Sequence, residues 1–233
     1  MQQKLQRPLL WNACRHHSGE VILTWYWTHL DIEAAKGPEI TVFQRYREHF
    51  DKLSYGDLSD ICVLEVEEKL QPAKEEVVTL IQETLANKEF AYRGDYTQFM
   101  KLVLVALTGD TTNFKLPRPG ALSNARWMGK TIYAISMFLL KSKIANELGK
   151  DAVIMTPRQV GLIERFVRFV CLVYAKWWIR CPLPAECGLV DFQLLRAIRS
   201  LPDEVIALAA EKAFLGHLWY LTQEQVTRCL FSS

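Results

Sequence analysis

The chain has 233 residues, 50% of them hydrophobic and 23% charged, with a net charge of +2 and no low-complexity tract. That composition supplies one large core or two small ones and excludes an intrinsically disordered chain. The most apolar stretch, 161–179, has the length of a membrane span but carries Glu164, Arg165, Arg168 and Lys176, each costly at a bilayer centre, so a buried helix and no membrane partner are expected.

The first residues offer too short an apolar run for a secretory signal, and the expected compartment is nuclear or cytoplasmic. Cys14-Arg15-His16-His17 follows, leading into the helical run Gly19 to Leu23. Leu23 to Trp27 and Ile61 to Val66 are short apolar runs that fit a strand or a helix segment, because periodicity cannot separate the two at that length. Pro72 and the acids Glu75 and Glu76 mark a first helical turn; with Val77, Leu80, Ile81 and Leu85 at helix spacing they predict a helix over 72–88. A second runs from Asp95 to Leu107, with Phe99, Leu102, Val103 and Ala106 on one face and Gly109-Asp110 as its stop. Leu116-Pro117-Arg118-Pro119-Gly120 is an extended linker, since each proline fixes its own φ and biases its predecessor away from helix. It sets the expected division into an N-terminal helical region, 1–116, and a C-terminal helical bundle, 117–233.

Beyond the linker, Ala121 to Leu148 reads as one helix of roughly 40 Å with Gly149 as its stop. Thr156-Pro157 opens the next, to about Arg180, which leaves so little polar face that it should be the central post. Cys181-Pro182-Leu183-Pro184 separates it from shorter helices near Asp191–Ser200, Pro202–Phe214 and Thr222–Phe231. The expected fold class is mainly α, a multi-helix bundle with little or no sheet.

Charge is unevenly spread. Residues 51–91 hold ten acids and four bases, whereas 115–181 hold twelve bases and three acids. A basic face suits a polyanion; solvated surface, or contact between the two stretches, explains the pattern as well. Arg126-Trp127 with Lys130 one turn later suits stacking on a base while holding a phosphate, against the plainer reading of a core tryptophan with a snorkelling arginine. Arg118, Arg126, Trp127 and Lys130 are therefore the candidate nucleic-acid contacts.

Cys14 and His17 have the spacing of a zinc pair, but a closed site needs four ligands, and His16, Cys181, Cys187, His217 and Cys229 supply no second close pair. No cofactor is expected, with zinc at Cys14 and His17 the alternative. The six cysteines read as mostly reduced thiols. No phosphate-cradling Gly-rich loop occurs, since Gly129-Lys130-Thr131 has Asn124 where the first glycine belongs. Asp57 with Asp60, and Glu65 with Glu67 and Glu68, read as a solvated acidic surface rather than a two-metal site.

The order of these features resembles the rear half of a hAT-type DNA transposase, a ribonuclease-H-like fold interrupted by a helical insertion. Leu10-Trp11-Asn12-Ala13-Cys14-Arg15-His16-His17 is similar to the family's C-x-x-H passage after the second catalytic aspartate, and Ala125-Arg126-Trp127-Met128 to the Arg-Trp that opens a helix of the insertion. The resemblance implies a place for Arg126 and Trp127 close to DNA. It makes Glu224 the positional candidate for the last catalytic carboxylate, without the family's serine-rich approach or following Arg-Phe-Ser. The first two acids would precede Arg7, so it also implies an incomplete triad: a transposon-derived, DNA-binding helical domain without cleavage activity. The alternative is a helical protein-interaction module, through a partner or self-association, whose basic side is ordinary surface.

Overall fold

The computed structural model describes residues 15–30, 40–87, 93–120, 128–148, 154–181 and 187–215. Among them the chain is mainly helical and no strand occurs, as the periodicity predicts. No helix among them is long and apolar enough to cross a membrane. The chain forms two compact units, Met1–Tyr26 with Trp177–Ser233, and Trp27–Lys176. The proline-rich stretch 116–120 lies inside the second.

Helix α1 spans Arg15–His29, which settles Leu23 to Trp27 as helical. In the second unit α2 (Thr41–His49) runs into a 3-10 turn, Phe50–Lys52. Its Phe43 is fully buried between two rings, with centroids 5.0 Å from Trp27 and 5.0 Å from Tyr133. Phe166 meets Trp27 edge-on at 5.1 Å, and Tyr46 packs edge-on against Phe50 at 5.5 Å. Burial first, then the neighbouring Tyr133, pushes the Tyr46 hydroxyl far above its ordinary value, so it stays protonated.

Helix α3 is Gln71–Ala86, with Pro72 in the first turn and Val77 and Ile81 as its buried i, i+4 stripe. Helix α4, Gly94–Thr108, buries Phe99, Met100, Leu102, Val103, Val105, Ala106 and Leu107. It ends at Gly109, whose φ of +74° is the left-handed stop that glycine adopts without a Cβ clash. A Cβ there would also stand 3.0 Å from Val63 Cγ2. Gly109→Ala is therefore expected to cost about 1–2 kcal/mol, read as a lower urea midpoint at unchanged m-value.

Residues 61–66 form neither the strand nor the helix that their apolar run allows. The stretch is irregular: Cys62 N–H donates to the Leu139 carbonyl at 2.9 Å and Leu64 N–H to the Ala106 carbonyl at 2.9 Å. Two N–H groups two residues apart thus meet the ends of two helices, with Leu64 buried and Val63 outside.

The first of those contacts coincides with a departure from the helix expected over 121–148. The described part is two helices, α5 (Met128–Leu139) and α6 (Lys141–Glu147), separated at Leu140 with φ −94° and ψ 8°. The Leu139 carbonyl serves Cys62 at the break, and helical pairing resumes as Ile144 N–H donates to the Leu140 carbonyl at 2.8 Å. Residues 121–127 and Gly149 lie outside the described residues.

Helix α7 (Pro157–Phe169) opens on a capping box: Thr156 Oγ1 accepts from Gln159 N–H, and the Gln159 side chain accepts from Thr156 N–H. The post does not continue as regular α-helix. Val170–Tyr174 forms a π turn, closed by Ala175 N–H on the Val170 carbonyl five residues back, before α8 (Ala175–Arg180). The inserted residue shifts the helix phase, and all five side chains of the turn are buried. Within the second unit α7 packs on α5, and the π turn packs on α3 and α4, the position expected of a central post.

In the first unit, α9 (Cys187–Arg199) packs against α10 (Glu204–Leu215). Trp177 Nε1–H donates to the buried Asp191 carboxylate at 2.6 Å, and Arg199 Nε–H to Glu211 at 2.8 Å. The helix expected near Thr222–Phe231 and the spacer 182–184 lie outside the described residues.

Candidate functional surfaces

The acidic stretch 51–91 and the basic stretch 115–181 meet in the second unit. Arg118 pairs with Asp51, Lys176 with Glu76, and the buried Lys143 lies 3.5 Å from Asp57. Lys143 also stands 3.9 Å from Glu147, and Lys141 pairs with Glu164 at 2.8 Å. The compositional asymmetry is thus in part internal neutralisation, one of the two plain explanations it admits. The Arg118–Asp51 pair is exposed and contributes little stability. Its consequence is electrostatic, because a paired guanidinium presents less net charge to a polyanion.

Around Lys143 the loop after α2 is clamped onto α6. Ser54 N–H donates to Glu147 Oε2 at 2.7 Å, the Ser54 hydroxyl donates to Glu147 Oε1, and Ser59 N–H donates to Asp57 Oδ1 at 3.0 Å. These donors hold both carboxyls below their ordinary values: Ser54 for Glu147, and Ser59, then Lys143, for Asp57. A carboxyl whose value is lowered by folding stabilises the fold above its unfolded value, and that contribution is lost as pH falls through the folded one. The clamp is therefore expected to weaken as pH drops below about 4.5 for Glu147 and below about 3.8 for Asp57. Carboxyl NMR should show Glu147 titrating below 4.5 in the native chain and moving back toward 4.5 in Ser54→Ala.

Of the candidate nucleic-acid contacts, Arg118 is exposed and engaged with Asp51, and Lys130 is half-buried in the first turn of α5. Arg126 and Trp127 lie outside the described residues, as do Cys14 and Glu224. His17 lies in α1, its side chain undescribed. Its neighbour His16 stacks on Trp178, centroids 5.3 Å apart and planes at 23°, with Nε2 3.3 Å from the Trp178 carbonyl. A carbonyl only accepts, so Nε2 carries the proton and is turned away from ligation. Among the described residues no three His, Cys, Asp or Glu side chains are grouped to hold a metal. Cys62, Cys171 and Cys181 form no disulfide, and burial pushes the Cys171 thiol upward, away from nucleophilic reactivity. The acids Asp57, Asp60, Glu65, Glu67 and Glu68 are exposed, and a shallow hollow beside Glu67 and Glu68 holds Lys69, 3.0 Å from Glu67.

The surface that sequence reasoning missed is on the helices of the first unit. Leu189 and Phe192 of α9 are 58% and 57% exposed, and Val205 and Leu208 of α10 are 59% and 67% exposed. The signal was available in α10: Ile206, Ala209, Ala210 and Phe214 fill the buried face, yet Val205, Leu208 and Leu215 are apolar on the other. A surface helix covering only its own core would be polar there. The chain matches no protein-family model, no curated protein and no solved structure.

Proposed function

We propose that the chain is a helical protein-interaction module whose contact surface includes the outer face of α10. The single observation that carries this reading is the exposure of large apolar side chains at Val205, Leu208 and Leu215, at helical spacing on a helix whose opposite face is already apolar and buried. Isolated exposed leucines are ordinary; several on one helix face mark a contact surface. The competing proposal is the transposon-derived, DNA-binding domain, whose motifs fall largely on residues 10–17 and 125–128. It is disfavoured by the pairing of Arg118, Lys143 and Lys176 with acids of the same unit.

Two measurements on the full chain separate the readings. A solvent-sensitive apolar dye should bind the native protein at submicromolar concentration, and Leu208→Glu should reduce that binding without lowering the thermal midpoint. Duplex DNA titrated by fluorescence anisotropy should bind weakly, with a shallow salt slope. Absence of dye binding removes the contact surface, whereas a log–log salt slope of about −5 or steeper would return the nucleic-acid reading to first place.

A further inference from the structure

We infer that the partner of α10 is a second copy of this chain, bound through a two-fold axis at Leu208. The inference rests on the interaction reading above and names its occupant. Glu204, Leu208 and Lys212 are all exposed and follow one another at four-residue intervals, so they form one ridge on α10, about 12 Å from end to end at 1.5 Å per residue. Its order is acid, leucine, base. Such a ridge is complementary to itself run backwards. When two copies cross antiparallel, Glu204 of each faces Lys212 of the other and the two Leu208 side chains meet at the axis. The Glu204–Lys212 contact then occurs twice and the Leu208 pair once, on the axis, as an isologous interface requires.

Among the described residues neither Glu204 nor Lys212 has an ion-pair partner, whereas Glu211, one position off the ridge, is engaged by Arg199. Both ends of the ridge are thus available, and the residue that would disturb the pattern is neutralised within its own unit. Val205 and Leu215 flank the ridge and supply apolar area beside it. A like-charged or DNA-bearing partner has no reason to select this alternation, and a purely apolar one would leave Glu204 and Lys212 facing nothing.

Sedimentation equilibrium of the full chain, from about 1 to 200 µM, tests this directly. A reversible monomer–dimer equilibrium is expected. Glu204→Lys and Lys212→Glu should each weaken it at least about tenfold, because each sets like charges opposite one another twice. The double variant Glu204→Lys/Lys212→Glu should restore it to within about threefold, and Leu208→Glu should give monomer. Circular dichroism of every variant separates loss of pairing from loss of fold. Monomer throughout, a dimer indifferent to the single changes, or a double variant as weak as the singles overturns the inference. If dye binding at Leu208 survives in a strictly monomeric chain, the interaction reading stands with a different protein as occupant. If both fail, the outer face of α10 is covered by this chain itself and both proposals fall.

Discussion

Replacing Phe43 by alanine is expected to lower the unfolding free energy by about 3–5 kcal/mol. Phe43 is fully buried, and its ring joins Trp27 on α1 to Tyr133 on α5, so its removal opens a cavity that three helices must close together. Aromatic surroundings collapse poorly, since rings pack at fixed tilts and cannot fill irregular space as methionine does. Stabilities of 5–15 kcal/mol are usual for folded domains, so the loss is a large share of the total. Urea unfolding should show the midpoint fall at constant m-value, with Phe43→Leu costing clearly less. Lys101→Ala, on the exposed side of α4, should stay within about 0.5 kcal/mol of the native chain. A Phe43→Ala variant as stable as that control would mean that the aromatic cluster does not hold the second unit together.

The second large effect is expected in the other unit, at Trp177. Its indole N–H donates to the Asp191 carboxylate at 2.6 Å, and the two side chains are 4% and 3% exposed. Trp177→Phe keeps most of the apolar volume but deletes the donor, so a buried carboxylate oxygen loses a charge-assisted partner that water cannot replace. A cost of about 2–3 kcal/mol follows, or roughly 5–10 °C in thermal midpoint for a chain of this size. Asp191→Asn retains an oxygen acceptor and should cost less, about 1 kcal/mol. The ordering of the two variants is the diagnostic: if Asp191→Asn is the more damaging, the carboxylate charge matters through contacts other than the indole.

Several elements were legible because their cause is local. Pro72 lies in the first turn of α3, Gly109 ends α4, and Thr156 caps α7 just ahead of Pro157, each an effect confined to about one helical turn. Other features answer to distant partners. Leu139 and Cys62 are far apart in sequence, and no window of periodicity contains both, so neither the break at Leu140 nor the irregular path of 61–66 could be read beforehand. The π turn is of the same kind: Val170–Tyr174 is apolar in any helical phase, and packing on α3 and α4 accompanies the shift.

The candidate surfaces divide similarly. The acidic and basic stretches were countable, but that Arg118 meets Asp51 and Lys176 meets Glu76 depends on how the chain doubles back. The resemblance to a transposase rests on short motifs, most of whose residues lie outside the described structure. The openness of the outer face of α10 is not legible in the sequence, because an apolar helix reads as core wherever its neighbours are unknown.

Composition and periodicity by themselves determined that this protein is mainly helical, where α3, α4 and α10 begin and end, and that its charge is segregated along the chain. Those properties arise within one or two helical turns, where backbone hydrogen bonds and side-chain spacing act. Only the tertiary structure decided which charges cancel, where a helix breaks to lend a carbonyl to a passing irregular segment, and which apolar face stays open. Each of these is a pairing between residues remote in sequence, fixed by packing rather than by propensity.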